Sequence, residues 1–379
     1  MNAHVVVFGA TGYTGRLVVE SLVERGVRPV LAGRRERPLN QLACTLGGLD
    51  VRTADLAEPD SVRALVSEGD VLVTTVGPFE RLGDVAADAA ASQGAHYLDS
   101  TGEVGFVRRL QKRYPAAASD DAAAPGDAPR GTMLPAFGYD YVPGILAGSL
   151  ALERAGDRAE TLRVGYFAPG AGPTGLSGGT MTTMLEELSK PFLVWRDHRW
   201  QKPGRIPRQH TFTVDGAKRN AVMVPGSEIV FLPEAFPEVA NIEVFNGWFS
   251  APGPVMKAAL PVMAVAGSSS LARKALGKGI TALTGSEGGP SASERAKSSS
   301  LAIAMVTDSR GETVSEVHVA GPNVYTLTGH LLAAGAEHVL KNRSRARGVV
   351  GPLQAFGMEG LVELCASAGL REVSPGAAR

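Results

Sequence analysis

An apolar run, a glycine-punctuated turn and a helical pattern follow one another without a gap near the start of the chain. They read His4-Val5-Val6-Val7-Phe8, then Gly9-Ala10-Thr11-Gly12-Tyr13-Thr14-Gly15, then Arg16-Leu17-Val18-Val19-Glu20-Ser21-Leu22. That order is what a mononucleotide-binding β-α-β unit requires. Three consecutive valines suit a strand buried on both faces. Gly9 allows a tight turn at the strand's carboxyl end, Gly12 removes a side chain where a pyrophosphate approaches, and Gly15 lets the helix pack closely on the strand. The first N–H groups of the helix have no internal partners, so they favour an anion. Thr11, Tyr13 and Thr14 complete the turn as cofactor-binding candidates.

The second strand bears on the choice of cofactor. It reads Pro29-Val30-Leu31-Ala32-Gly33 and ends in Arg34-Arg35. An NAD site usually places Asp or Glu about 20 residues past the glycine turn, on the ribose 2′-OH. Arginine stands there instead, and a guanidinium grips a 2′-phosphate bidentately and stacks on adenine. NADPH therefore fits better than NADH; a solvated basic turn is the plainer alternative. Asp55, after the third strand (51–54), is either an adenine-side residue or the N-cap of a helix over 58–67.

The chain has 379 residues, enough for two domains, and its 38 Lys plus Arg balance 38 Asp plus Glu. Near-zero net charge gives no attraction to nucleic acid. Cys44 and Cys365 lie far apart without metal-ligand spacing, which fits a reduced, cytoplasmic setting and no metal. The chain starts on structural strand, so no signal peptide is expected. No segment has the apolar length to span a bilayer. The closest, Val255 to Gly267, is interrupted by Lys257 and Pro261. It reads as a buried helix or loop, or as an apolar pocket lining, an oligomer interface or a peripheral membrane contact.

Strand patterns at 4–8, 28–32, 50–54, 71–76, 95–98 and 132–137 alternate with helical patterns at 13–25, 37–46, 58–68, 80–93 and 103–113. The alternation predicts a doubly wound parallel sheet. Pro115 to Arg130 reads as a surface insertion, and a helix over 142–154 closes the first domain. Strand-like pieces at 162–168, 210–214, 219–224, 242–245, 301–306 and 313–319 predict a second α+β domain with a mostly antiparallel sheet. Gly285 to Ser300 reads as a loop. A helix over 327–340 runs into the basic stretch Lys341 to Arg347, which reads as a solvated helix end. A last helix covers 357–368. The expected domains are 1–158, 159–328 and 329–379, the last returning to the first.

Ligands in open α/β sheets bind outside the carboxyl ends of the strands. Val76-Gly77-Pro78-Phe79 follows the fourth strand; Gly77 permits close backbone approach, and Pro78 with Phe79 can wall a nicotinamide. Ser100-Thr101-Gly102 follows the fifth strand and can bond a carboxamide, or cap the next helix with Glu103 as part of a capping box. Tyr139-Asp140-Tyr141 follows the sixth strand at the expected domain junction. Reduction of C=C or C=N by hydride needs a proton as well. Tyr139 and Tyr141 are the available phenols and Asp140 can orient one; packing and helix capping are the plain alternatives. Ser177-Gly178-Gly179-Thr180 precedes a helical pattern at 181–189 and offers N–H groups to a substrate carboxylate, carbonyl or phosphate. No tyrosine is followed four residues later by lysine. The Tyr-x-x-x-Lys route to carbonyl reduction is therefore absent.

The chain resembles the saccharopine dehydrogenase-like oxidoreductases, in particular the bacterial trans-acting enoyl reductase branch. The resemblance rests on Gly9 to Gly15, Ala32-Gly33-Arg34-Arg35, Val76-Gly77-Pro78-Phe79, His96 to Glu103, Phe137-Gly138-Tyr139-Asp140-Tyr141-Val142-Pro143, Ser177 to Thr180, Gly289-Pro290-Ser291 with Arg295-Ala296, and Gly351-Pro352. It implies a Rossmann domain, an inserted α+β domain, a returning C-terminal segment, NAD(P)H-dependent reduction and a homodimer. The chain departs from the family at Tyr139-Asp140-Tyr141, where Phe-Asp-Ser is usual, a difference at the substrate end. The leading expectation is NADP(H)-dependent reduction of an activated C=C in an enoyl or polyketide-type intermediate of secondary metabolism. The substrate is then a small molecule or an acyl group, the latter free or on a carrier protein. The alternatives are C=N reduction and a non-catalytic NADP sensor.

Overall fold

The computed structural model describes residues 3–118, 129–171, 193–202, 208–248, 288–341 and 343–376. They form two compact units, one of residues 1–142 with 325–369, the other of 143–324 with 370–379.

The first unit is built on a sheet of β1 (Val5–Phe8), β2 (Val30–Gly33), β3 (Val51–Thr53), β4 (Val71–Thr74), β5 (His96–Asp99), β6 (Ala117–Ala118), β7 (Thr132–Leu134) and β16 (Ala346–Val349). Its order is β3-β2-β1-β4-β5-β7-β16-β6. Every pairing is parallel except that of β6 with β16. The right-handed crossover rule explains the order: chain reversal after β3 returns the strand to the far side of β1 and creates a switch point between β1 and β4. Residues of β1, β2 and β4 are buried throughout. Unbroken apolar runs are the mark of parallel strands with both faces covered.

One sequence expectation fails here. The basic stretch 341–347 is not simply a solvated helix end. The helix Val324–Leu340 stops, and Ala346–Val349 adds a parallel strand to β7 through Gly348↔Thr132 and Val349↔Met133. Alternating arginines hide a short strand near a sheet edge, where charge is tolerated.

The second unit carries β8 (Thr161–Phe167), β9 (Val194–Arg196), β10 (Arg199–Gln201), β11 (Gln209–Val214), β12 (Ala217–Met223), β13 (Asn241–Asn246), β14 (Ser299–Thr307), β15 (Thr313–Pro322) and β17 (Arg371–Val373). The order is β10-β9-β13-β8-β14-β15-β17, with the β11–β12 hairpin attached to β13. The sheet is mostly antiparallel, as expected; the β13–β8 pair is parallel. One face carries Phe167, Phe212, Phe245, Leu301 and Ile303 in a single cluster. Gly165 sits under it, because a Cβ there would lie 2.8 Å from the Phe212 ring.

The division between the units falls at Val142/Pro143, just inside the start of helix Val142–Ala155, rather than after that helix. Gly144 N–H donates to Tyr166 Oη at 3.0 Å, and Gly148 packs against Leu162 and Leu232. This helix therefore belongs with the second sheet. The stretch 285–300 contains a short helix, Ala292–Arg295, opened by a Ser291/Glu294 capping box. Helix Glu228–Ala235, with Pro233 inside it, was not legible as a helix because proline normally ends one. No helix among the described residues is long and apolar enough to cross a membrane.

Candidate active site

Four strands of the first unit, β1, β4, β5 and β7, bring their carboxyl ends side by side, and most of the residues singled out above follow them. Helix Tyr13–Glu24 begins at Gly12, whose φ of −74° and ψ of 166° are ordinary extended values, and no side chain caps it. The three glycines of the turn differ in what requires them. Gly9 has φ +92°, and a Cβ on it would lie 2.8 Å from Thr75 Oγ1 and 2.9 Å from Val76 Cγ2. A Cβ on Gly15 would lie 2.1 Å from the Gly9 carbonyl oxygen. Both positions are glycine for internal packing. Gly12 is exposed, and a Cβ there would meet only Gly9 O, at 3.2 Å. The fold thus leaves room at Gly12 that it does not itself use, in front of uncapped N–H groups. That is the cradle a pyrophosphate fits. Thr75 Oγ1 donates to Gly9 O at 3.4 Å and ties the β4 turn to the β1 turn. Tyr13 stands edge-on to Tyr325, with ring centroids 5.3 Å apart.

Arg34 and Arg35 are exposed at the end of β2. Asp55 is occupied locally: its Oδ1 accepts from Ala57 N–H at 3.0 Å, and its own N–H donates to Ser61 Oγ. It fixes the turn ahead of helix Pro59–Arg63, whose N-cap is Glu58 rather than Asp55. If the paired arginines hold a 2′-phosphate, Arg34→Ala/Arg35→Ala weakens NADPH roughly tenfold to a hundredfold and leaves NADH unchanged, the loss of one or two charge-assisted hydrogen bonds. Fluorescence titration with both nucleotides checks this; equal weakening of both would remove the arginines from the site.

The β4 and β5 turns are joined by a carboxylate whose role sequence reading missed. Glu103 is buried, and its two oxygens accept from Phe79 N–H, at 3.0 Å, and from Glu80 N–H. It therefore caps helix Phe79–Gln93 from outside, where negative charge meets the positive helix end. The expected capping box at Ser100 or Thr101 does not form. Thr101 is fully buried; its Oγ1 accepts from Glu103 N–H at 3.0 Å. Phe79 turns inward onto Phe106, ring centroids 5.9 Å apart, so it is core rather than an open wall. Gly77 is exposed, and Val76 beside it and Ser100 and Gly102 after β5 are partly accessible.

Asp99 pins β5 to the turn after β7. Its Oδ1 accepts from Thr101 N–H at 2.8 Å and Ala136 N–H at 2.9 Å, and its Oδ2 accepts from Tyr97 Oη at 2.7 Å. Burial still raises its carboxyl to about 6. The turn it holds delivers Tyr139, Asp140 and Tyr141. Tyr141 Oη donates to the Gly102 carbonyl at 3.0 Å, and Tyr139 N–H donates to Thr328 Oγ1 at 3.1 Å. Both tyrosines are buried. Asp140 keeps partial exposure, and burial of its carboxyl raises it to about 6 with no hydrogen bond lowering it. A methyl on Gly102 would lie 3.8 Å from Asp140 Oδ2 and 3.9 Å from Tyr141 Oη, so both groups converge on that backbone. Of the three residues, Asp140 alone combines partial exposure with a carboxyl raised toward neutral pH. Ser177, Gly178, Gly179 and Thr180 lie outside the described residues, as does the apolar stretch 255–267. No metal-binding cluster occurs among the described residues.

The sheet order and the glycine cradle define a dinucleotide-binding domain of the Rossmann kind. Residues 5–126 match the saccharopine dehydrogenase NADP binding domain. A candidate trans-acting enoyl reductase of Mycobacterium tuberculosis is 34% identical over 196 residues, 49% of this chain and 44% of that protein. A trans-acting enoyl reductase of the same organism is 33% identical over 148 residues, 38% of this chain and 34% of its own length. The matched stretches thus span less than half of these curated relatives. The saccharopine dehydrogenase (L-Glu forming) of Saccharomyces cerevisiae aligns over 98% of this chain and 99% of its own, with a TM-score of 0.60 at 10% identity. That likeness fixes the fold of both units.

Proposed function

We propose that this protein is an NADPH-dependent oxidoreductase that reduces an activated C=C of an enoyl or polyketide-type acyl substrate. The observation that carries the reading is Asp140, a partly exposed residue whose buried carboxyl is raised to about 6, on the same sheet edge as the uncapped, glycine-lined helix end. The names of the mycobacterial relatives support the enoyl substrate.

NADPH, when bound, supplies a hydride for the β-carbon of the acyl group. The chain's own residues do the rest. The N–H groups after Gly12 hold the pyrophosphate, and Arg34 with Arg35 holds the 2′-phosphate. The exposed Gly77 of the turn 76–78 would let a bound cofactor approach the backbone there. Asp140 gives its proton to the α-carbon and is left as carboxylate, which regains a proton from solvent. Burial of the carboxyl is what raises it above the usual carboxylate range, and Tyr141 is held nearby by its bond to Gly102.

The test is loss of NADPH absorbance with the purified full chain against a panel of enoyl thioesters and of imines. Turnover is expected on enoyl thioesters. Turnover on imines alone would replace the reading with C=N reduction. Tight NADPH binding without turnover on either would leave a nucleotide sensor.

A further inference from the structure

We propose that the second unit carries a binding site for a phosphate dianion, built by Arg163, Arg196 and Arg208 around Glu243. Glu243 lies on β13 opposite Arg163 on β8, in register. Arg163 Nε donates to Glu243 Oε2 at 3.1 Å. The other oxygen, Oε1, accepts from Arg196 at 3.3 Å and from Arg208. The glutamate side chain is 6% exposed, whereas the arginines rise from 23% for Arg163 to 36% for Arg196 and 57% for Arg208. The cluster therefore opens outward from a buried carboxylate to accessible guanidinium forks.

A structural role accounts for part of this. A buried carboxylate needs a cationic partner, and Arg163, which also reaches Thr307 Oγ1 at 3.4 Å, is enough. Two further guanidiniums on one oxygen add like-charge repulsion and leave two positive charges over. Arg196 and Arg208 each spend one donor on Glu243 and keep the rest of the fork. Guanidinium forks facing outward with a surplus of two charges match a phosphate in both geometry and charge.

A second, independent observation lies beside them. His210, on β11, packs edge-on to Phe212 at 4.7 Å and over Phe245 at 5.5 Å. Its Nε2 is sealed from solvent and has no hydrogen-bond partner among the described residues. It sits within electrostatic reach of Arg163, Arg208 and Glu243, and burial with the nearby arginines lowers its pKa. A neutral imidazole there carries one N–H to offer, and a buried polar atom without a partner calls for one.

The source of the phosphate is settled by comparing inorganic phosphate with an organic ester. Calorimetric titration of the full chain with inorganic phosphate and with phenyl phosphate, each with and without saturating NADP⁺, is expected to give saturable binding that NADP⁺ does not displace. Arg196→Gln/Arg208→Gln is expected to weaken it by at least about tenfold, the loss of one or more charge-assisted contacts. Glu243→Gln, which removes the competing negative charge, is expected to tighten it; Arg34→Ala leaves it unchanged. Tighter binding of phenyl phosphate identifies an organic phosphate ester as the ligand, and equal binding identifies free phosphate. No saturable binding, displacement by NADP⁺, unchanged binding in the double arginine variant, or acetate binding as well as phosphate would each overturn the proposal.

Discussion

Gly12→Ala is expected to lower NADPH affinity by about a hundredfold, the loss of two charge-assisted hydrogen bonds to the pyrophosphate, while the protein stays folded. The backbone at Gly12 has extended values that alanine adopts freely, and the added methyl meets one atom, Gly9 O, at 3.2 Å. Thermal stability should therefore shift by no more than a few degrees. The neighbouring glycines should behave in the opposite way. Gly15→Ala drives a methyl to 2.1 Å from Gly9 O, and Gly9→Ala needs φ +92° beside Thr75 and Val76. Both should cost stability first, with a strain penalty on the order of 1–3 kcal/mol or more. Tm measurements on all three variants, with NADPH titrations on those that fold, check the split. A Gly12→Ala protein that binds NADPH as well as the parent would move the pyrophosphate away from this turn.

That split shows what was legible in the chain and what was not. The glycine spacing after three valines announced the turn, and alternation of short apolar runs with helical patterns announced the parallel sheet. Which glycine serves the fold and which serves a ligand is a matter of what stands opposite, and Thr75 and Val76 lie far along the chain. The place of Arg34 and Arg35, exposed at the end of β2, was legible because the strand end fixes it. Glu103 was not: its local sequence resembles a cap for its own helix, yet its carboxylate reaches Phe79 and Glu80 across the β4–β5 pair. The strand Ala346–Val349 was masked by its arginines, and helix Glu228–Ala235 by Pro233. The cluster at Glu243 had no sequence signal at all, since its members come from three strands and the head of a hairpin. At the candidate acid the sequence reading put the proton on the phenols of the 139–141 tripeptide, whereas we propose that the carboxyl holds it. The proposal rests on the Tyr141–Gly102 bond, which occupies that phenol, and on the burial of the Asp140 carboxyl, neither of which is visible in the sequence.

Asp140→Asn is expected to lower kcat on the best enoyl substrate by roughly a hundredfold to ten-thousandfold, the usual worth of a positioned proton donor. The pH dependence gives the second readout. The reactive form is the protonated acid, so with a pKa of about 6 the parent's kcat should be level below that value and fall above it. The asparagine variant should lose that limb, and Asp140→Glu should restore part of the rate with a displaced one. Stability supplies a third readout, of opposite sign. The folded-state pKa of about 6 stands above the ordinary 3.8, so the folded protein binds more protons than the unfolded chain between those values. The group's contribution to stability therefore falls as pH rises through that window and is fully lost above it. Asparagine cannot ionise, so the variant should be more stable than the parent at neutral pH, by on the order of 2 kcal/mol, and equal to it near pH 4. A residue that only packs or orients would lose stability on substitution, and one that acts as an ordinary surface carboxylate would change neither. Loss of rate together with gain of stability is the signature of a group kept in an unfavourable state for its chemistry. An Asp140→Asn protein that keeps its rate, or a parent whose rate is flat between pH 5 and 8, would take the proton transfer away from this residue and return it to Tyr139, Tyr141 or an ordered water.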